Sequence, residues 1–389
     1  MPERRVSEHK VASIPAEAQS TGAHPDWCDD TARRLQPHRK RAPRHVRWIN
    51  QLGLLVSVGS DDEALLANLA DFYRPYYALL PGPPPRTPDL TLTLLVNGPP
   101  AAGAACTDMR VYRSRPELHG HGSGLALYRR DRPDLVIAVD EARRDVLVLG
   151  SRTVEVGLQA RVLLRDQLLQ RIEHRAGFRI FHAAAAVRDD RGVAVLGDRN
   201  AGKTTTLLAL LGAGYDFVTA DRLSVGPDGQ GVVMAGVPAR ANVHAVAFGS
   251  GQPLDGLVEG ADWPAAVEGK VLVDVPALTG HFGVGAVPRA RPGTLLLPQI
   301  DATAGSMQAD VVRDPHQARE LLSHNLLTDD SPGNTHRPWL RLPLPEAPRR
   351  TGAPTALLDR LVAQCRVMTV RGCYADYLDW LARVPGDLL

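Results

Sequence analysis

Residues Gly197–Thr204 read GDRNAGKT, and this stretch decides the fold. It fits G-x-x-x-x-G-K-[ST], the Walker A or P-loop pattern that cradles phosphates. The apolar run Val193-Ala194-Val195-Leu196 precedes it, the helix-prone TTTLLALL follows, and Gly212 and Gly214 end the helix. Strand, glycine loop, helix is the setting the motif requires. Successive backbone N–H groups at a helix N-terminus make a nest for anions. Gly197, Asn200, Ala201, Gly202, Lys203, Thr204 and Thr205 are therefore the candidate phosphate-binding positions. Within them Lys203 brings a point charge to the β/γ-phosphates, and Thr204 brings a hydroxyl to Mg²⁺. The chain has 45 Lys and Arg together, yet its only lysines are Lys10, Lys40, Lys203 and Lys270. Where arginine is the default cation, a lysine at this position is not filler.

The rest of the composition bounds the setting. A length of 389 residues suggests two or three domains, and 44% hydrophobic residues suffice for a sizeable core. A net charge of +2 gives no basic field that would call for a nucleic acid. Cys28, Cys106, Cys365 and Cys373 form no C-x-x-C pair, so they read as free thiols. No apolar run approaches the ~20 residues that span a bilayer. The start, MPERRVSEHK, carries charge without the apolar centre of a secretory signal. A cytoplasmic protein without membrane contact is expected.

Three segments are expected. Residues 1–45 are rich in Arg, His, Asp and Pro and read as a disordered basic arm. Residues 46–150 read as a small α+β module: strand LGLLVSVG, helix DDEALLANLADFY, then strands LTLTLLV, GLALYRR, DLVIAVD and DVLVLG. His119 and His121 in HGHGSG fall in a glycine-rich exposed turn, with no further metal ligands nearby. Residues 151–389 hold the P-loop. There a helix over 155–176 leads to the strand FRIFHAAAAV, which the turn RDDRG joins as a hairpin to the P-loop strand. A glycine-rich β region covers about 223–300, and Asp314-Pro315 opens a further helix. A helix, the strand RVMTV and a last helix follow.

Phosphoryl transfer needs a metal and a group that positions the nucleophile. Asp221 ends the short strand Phe217–Ala220, eighteen residues after Lys203, and is the first candidate for the metal; its strand is expected to run beside the P-loop strand. Asp274 in KVLVDVP is the alternative, at the place of an ordinary Walker B acid. His182, on the strand paired with the P-loop strand, is the candidate for proton transfer, although a histidine there also suits the core.

FHAAAAV, GDRNAGKT and GYDFVTADRLSV, in this order and at this spacing, resemble the C-terminal domain of HPr kinase/phosphorylase and its kinase-like relatives, which are related in fold to ATP-dependent phosphoenolpyruvate carboxykinases. The resemblance covers roughly residues 178–300. It implies an α/β domain with a mixed sheet, ATP and Mg²⁺ as cofactors, a homo-oligomer, and transfer of the γ-phosphate to a hydroxyl of a peptide, a protein or a small metabolite. His182 matches the family's strand histidine, Lys203 and Thr204 its P-loop pair, and Asp221 the second acid of its Asp-Asp pair. Ala220 stands where the family has the first acid, which there serves as base. His182 or Asp221 takes over that role, or transfer is lost and a nucleotide-dependent binding module or slow ATPase remains. Neither an LSGGQ-like signature, nor N-K-x-D, nor H-R-D occurs in the chain.

Overall fold

The computed structural model describes residues 25–383 apart from 52, 81, 97–116, 131–134, 175–176, 199, 230, 249–251, 258–268, 301–305, 328–339, 341 and 343–354. The chain is an α/β protein, with two eight-stranded mixed sheets and a two-stranded one among the described residues.

The described chain enters through a helix, α1 (Pro25–Lys40). This part of the expected arm is ordered because Cys28, Ala32 and Leu35, spaced at helical period, are buried against Leu125, Leu127 and Ala138 of the first sheet. Arg39 also pairs with Asp140. Residues 1–24 lie outside the described residues.

The first sheet contains β1 (His45–Gln51), β2 (Leu54–Ser60), β3 (Ala78–Leu80), β4 (Leu90–Val96), β5 (Glu117–Gly122), β6 (Leu125–Arg130), β7 (Leu135–Asp140) and β8 (Asp145–Gly150). Their order is β3-β1-β2-β4-β8-β7-β6-β5. The alternation of LTLTLLV buries Leu90, Leu92 and Leu94 on one face of β4. Helix α2 (Glu63–Tyr73) starts where expected, with Asp62 accepting from the Leu65 N–H as N-cap. HGHGSG is not an exposed turn throughout. Most of it is β5, paired with β6 around Ser123 and Gly124, whose φ values of 50° and 77° suit a tight hairpin. Among the described residues no His, Cys, Asp and Glu cluster could hold a metal.

Helix α3 (Thr153–His174) lies between the two sheets. Val156, Ala160, Leu163 and Leu164 complete the first core, while Leu168, Leu169 and Ile172 pack on Phe178, Ile180 and Val237. Its buried glutamines hold a later segment: Gln167 donates to the Leu340 carbonyl at 2.9 Å, and Gln170 donates to that of Leu342 at 2.6 Å. Leu340 and Leu342 themselves sit in the first core.

The second sheet begins with the hairpin β9 (Arg179–Arg188) and β10 (Arg191–Leu196), turned by Asp189 and Asp190 at φ 53° and 63°. After α4 (Lys203–Gly212) come β11 (Asp216–Thr219), β12 (Arg222–Asp228) and β13 (Gly231–Gly236). A separate hairpin, β14 (Ala241–His244) with β15 (Lys270–Val273), leads to α5 (Val275–Phe282). The chain continues through β16 (Arg289–Ile300), β17 (Gln308–Val311), α6 (Pro315–His324), α7 (Thr355–Gln364), β18 (Arg366–Gly372) and α8 (Tyr374–Arg383). As expected, Asp314 caps α6.

β10 pairs with β9 on one side and, in parallel, with β16 on the other. Strand β11 therefore does not lie beside the P-loop strand. It pairs with β9, because β16 takes the open edge of β10. The parallel strands β10, β16 and β18 all end on the side where the glycine loop emerges, the usual ligand side of such sheets. Ala183 to Ala186 are all fully buried and alternate between the cores on the two faces of the sheet. No helix among the described residues is long and apolar enough to cross a membrane.

Candidate functional site

The glycine loop is held by packing as well as by its own turn. Gly197, Asn200 and Gly202 have φ of 155°, 69° and 101°. A Cβ on Gly202 would stand 2.4 Å from Ile300 Cδ1 at the end of β16, so glycine is needed there for both backbone and space. Gly202 O then receives the first helical bond from Thr206 N at 2.9 Å. The Thr206 hydroxyl donates to the same carbonyl and meets the Tyr377 hydroxyl of α8. At its far end α4 closes with Tyr215 N to Leu210 O and Gly214 N to Leu211 O, a Schellman stop with Gly214 at φ 84°. Ala201 and Thr205 are half-buried beside these anchors.

Lys203 is 8% exposed and folds back over the loop, donating to the carbonyls of Gly197 and Asp198, each at 2.7 Å. Burial pulls its ammonium down to about 8, against the charges of Asp221 and Asp198, and Lys270 lowers it further. Thr204 Oγ1 donates to the Asn242 carbonyl of β14 at 3.4 Å.

The β9–β12 pairing sets His182 opposite Arg222, and so beside Asp221. His182 Nε2 lies 3.4 Å from Asp221 Oδ1, and Arg222 Nε lies 3.7 Å from Oδ2. The bend that delivers Asp221 is fixed by Thr219 Oγ1 donating to Arg222 O at 2.9 Å and by Ala183 N donating to Asp221 O at 3.1 Å. Burial pushes the Asp221 carboxyl up. The hydrogen bond from His182 and the charges of Arg222, His182 and Lys203 outweigh it and bring the group down to about 2. Asp221 is thus held as an anion within electrostatic range of the Lys203 ammonium.

Asp274 is engaged elsewhere. It stands at the start of α5, with Arg240 Nε at 2.7 Å and Arg161 Nη1 at 3.7 Å. Its carboxylate is thus shared by two guanidinium groups of the fold.

Two residues were missed from the sequence. Lys270 donates from Nζ to Asn200 Oδ1 at 3.1 Å, so a second of the four lysines reaches the loop. Its rarity was the available signal. Asn242 has its side-chain Oδ1 buried without a hydrogen-bond partner, while its carbonyl accepts from Thr204. A buried uncommitted oxygen, a threonine hydroxyl and a carboxylate are hard donors, and a Mg²⁺ site commonly needs only one or two carboxylates besides phosphate and water. The residues present fit that ion.

No family model matches the chain, and no match to a curated protein is found. Among solved structures, the HPr(Ser) kinase/phosphatase from Coxiella burnetii aligns with 54% of this chain and 95% of its own, at 13% identity and a TM-score of 0.26. So slight a likeness carries no functional weight.

Proposed function

We propose that the chain is an ATP- and Mg²⁺-dependent kinase of the HPr kinase-like kind, transferring the γ-phosphate to a hydroxyl of a peptide, a protein or a small metabolite. The observation that carries this reading is a buried lysine on a glycine loop, electrostatically coupled to the aspartate of an Asp–His pair. The loop N–H groups and Lys203 bind and orient the phosphates. Thr204 and Asp221 would hold the metal, which would supply positive charge to offset that of the phosphates. Asp221 orients the imidazole through its contact with Nε2, and His182, when neutral, receives the hydroxyl proton at its other ring nitrogen. The acceptor oxygen bonds to the terminal phosphorus as the bond to the bridging oxygen breaks, and ADP leaves with that electron pair. Lys203 stabilises the charge that develops on the transferred group.

The test follows labelled γ-phosphate from ATP with Mg²⁺ across a panel of hydroxyl-bearing peptides and metabolites. Label on an acceptor in the wild type, lost in Lys203→Ala, supports the kinase. Transfer that persists unchanged in Lys203→Ala overturns it.

One observation favours the second reading, a nucleotide-gated binding module or slow ATPase. Ala220 is 6% exposed and packed in the apolar cluster with Phe217 and Leu207, so no acid precedes Asp221. On that reading Ala220→Asp raises transfer. A brisk wild type that gains nothing from the change rules it out.

A further inference from the structure

We propose that Lys270 is a second phosphate-binding cation, which leaves the Asn200 amide for the terminal phosphates of a bound polyphosphate chain. The inference rests on the nucleotide reading above and deepens it. The β14–β15 hairpin touches the glycine loop at two points: Lys270 reaches Asn200 near the crown, and the Asn242 carbonyl takes the Thr204 hydroxyl at the start of α4. The register sets Lys270 opposite His244 and Leu272 opposite Asn242, so Lys270 and Asn242 belong to the same face of the hairpin. That face is a second wall of the cradle, contributed by chain about 70 residues beyond the motif.

Charge points the same way. Two ammonium groups converge on one loop in a protein that otherwise uses arginine, and the positive charge of Lys270 acts unfavourably on Lys203. Like charges gathered around backbone N–H groups suit an anion that takes up both. Asn200, one partner of Lys270, is an exposed amide and carries no charge. A phosphate oxygen offers the ammonium an opposite charge, which the amide lacks. The long flexible stem of lysine allows the exchange.

The experiment is equilibrium titration of inorganic tripolyphosphate, ATP, ADP and AMP into the wild-type chain, Lys270→Gln and Lys270→Arg, with melting curves of each ligand-free protein. Lys270→Gln should weaken tripolyphosphate and ATP about tenfold, ADP less and AMP hardly, and Lys270→Arg should remain within about threefold of wild type. The salt dependence of tripolyphosphate binding should flatten in Lys270→Gln. Wild-type affinities in Lys270→Gln overturn this inference and leave the nucleotide reading intact. Equal losses for all four ligands, with a lower melting temperature, make Lys270 a structural clip and also overturn it. A wild type that binds none of the four overturns both.

Discussion

Arg240 grips Asp274 by both carboxylate oxygens, with Nε 2.7 Å from one and Nη2 3.3 Å from the other. The carboxylate therefore serves the fold, anchoring β14 and α3 to the start of α5. Asp274→Asn should lower stability by about 1–2 kcal/mol, since it leaves the buried Arg161 and the mostly buried Arg240 facing a neutral amide. Nucleotide affinity and its Mg²⁺ dependence should stay within about threefold of wild type. Denaturant melts and equilibrium titration check both; a lost Mg²⁺ requirement would return Asp274 to the metal.

Two glycines separate the effect of contact from that of backbone. Gly202 has φ 101° and Ile300 in the path of a Cβ, whereas Gly214 has φ 84° and open space. Gly214→Ala should cost about 1 kcal/mol through strain alone and leave ligand binding unchanged. Gly202→Ala should cost about 2–3 kcal/mol and also weaken phosphate binding, because the loop must move away from β16. Paired melts and titrations of the two variants test this.

The pH dependence has two limbs. Lys203 falls from 10.5 to about 8 on folding, so between those values the unfolded chain holds more protons and this group makes stability rise with pH. Asp221 falls from 3.8 to about 2, so its contribution is present above 3.8 and lost as the pH drops towards 2. Lys203→Met should remove the alkaline rise and Asp221→Asn should flatten the acid limb, both read from melting temperature against pH. Phosphate affinity should fall above pH 8, as the unliganded lysine loses its charge.

His182 and Lys203 should fail differently. His182→Asn should reduce turnover by about 10²–10⁴-fold, the usual span for a proton-transfer group, with the ATP dissociation constant within about threefold of wild type. Lys203→Ala should lose both. A His182 variant that fails in binding but not in turnover would place the imidazole with the ligand cradle instead.

The glycine loop and its flanking strand and helix were legible because they depend on neighbours in sequence. The same holds for the Asp62 and Asp314 caps and the Asp189-Asp190 turn. The partners of β10 were not legible, because β16 arrives about 100 residues later and displaces β11 to β9. VLVD resembles a metal-binding strand end until Arg240, 34 residues earlier, is seen to occupy its carboxylate. Helix α1 was hidden by its arginines, although Cys28, Ala32 and Leu35 already marked a narrow apolar stripe. Lys270 was counted among the four lysines, but a long-range contact gives it its place.

The amide arms of Gln167 and Gln170 hold Leu340 and Leu342 in the core of the first sheet. During synthesis that core is thus incomplete when all its strands have been made. The ribosome must add nearly two hundred further residues, the entire glycine-loop region among them, before the last two leucines arrive. The N-terminal half must wait with an open apolar face for chain made after the loop, so the two halves of the protein reach their final packing together.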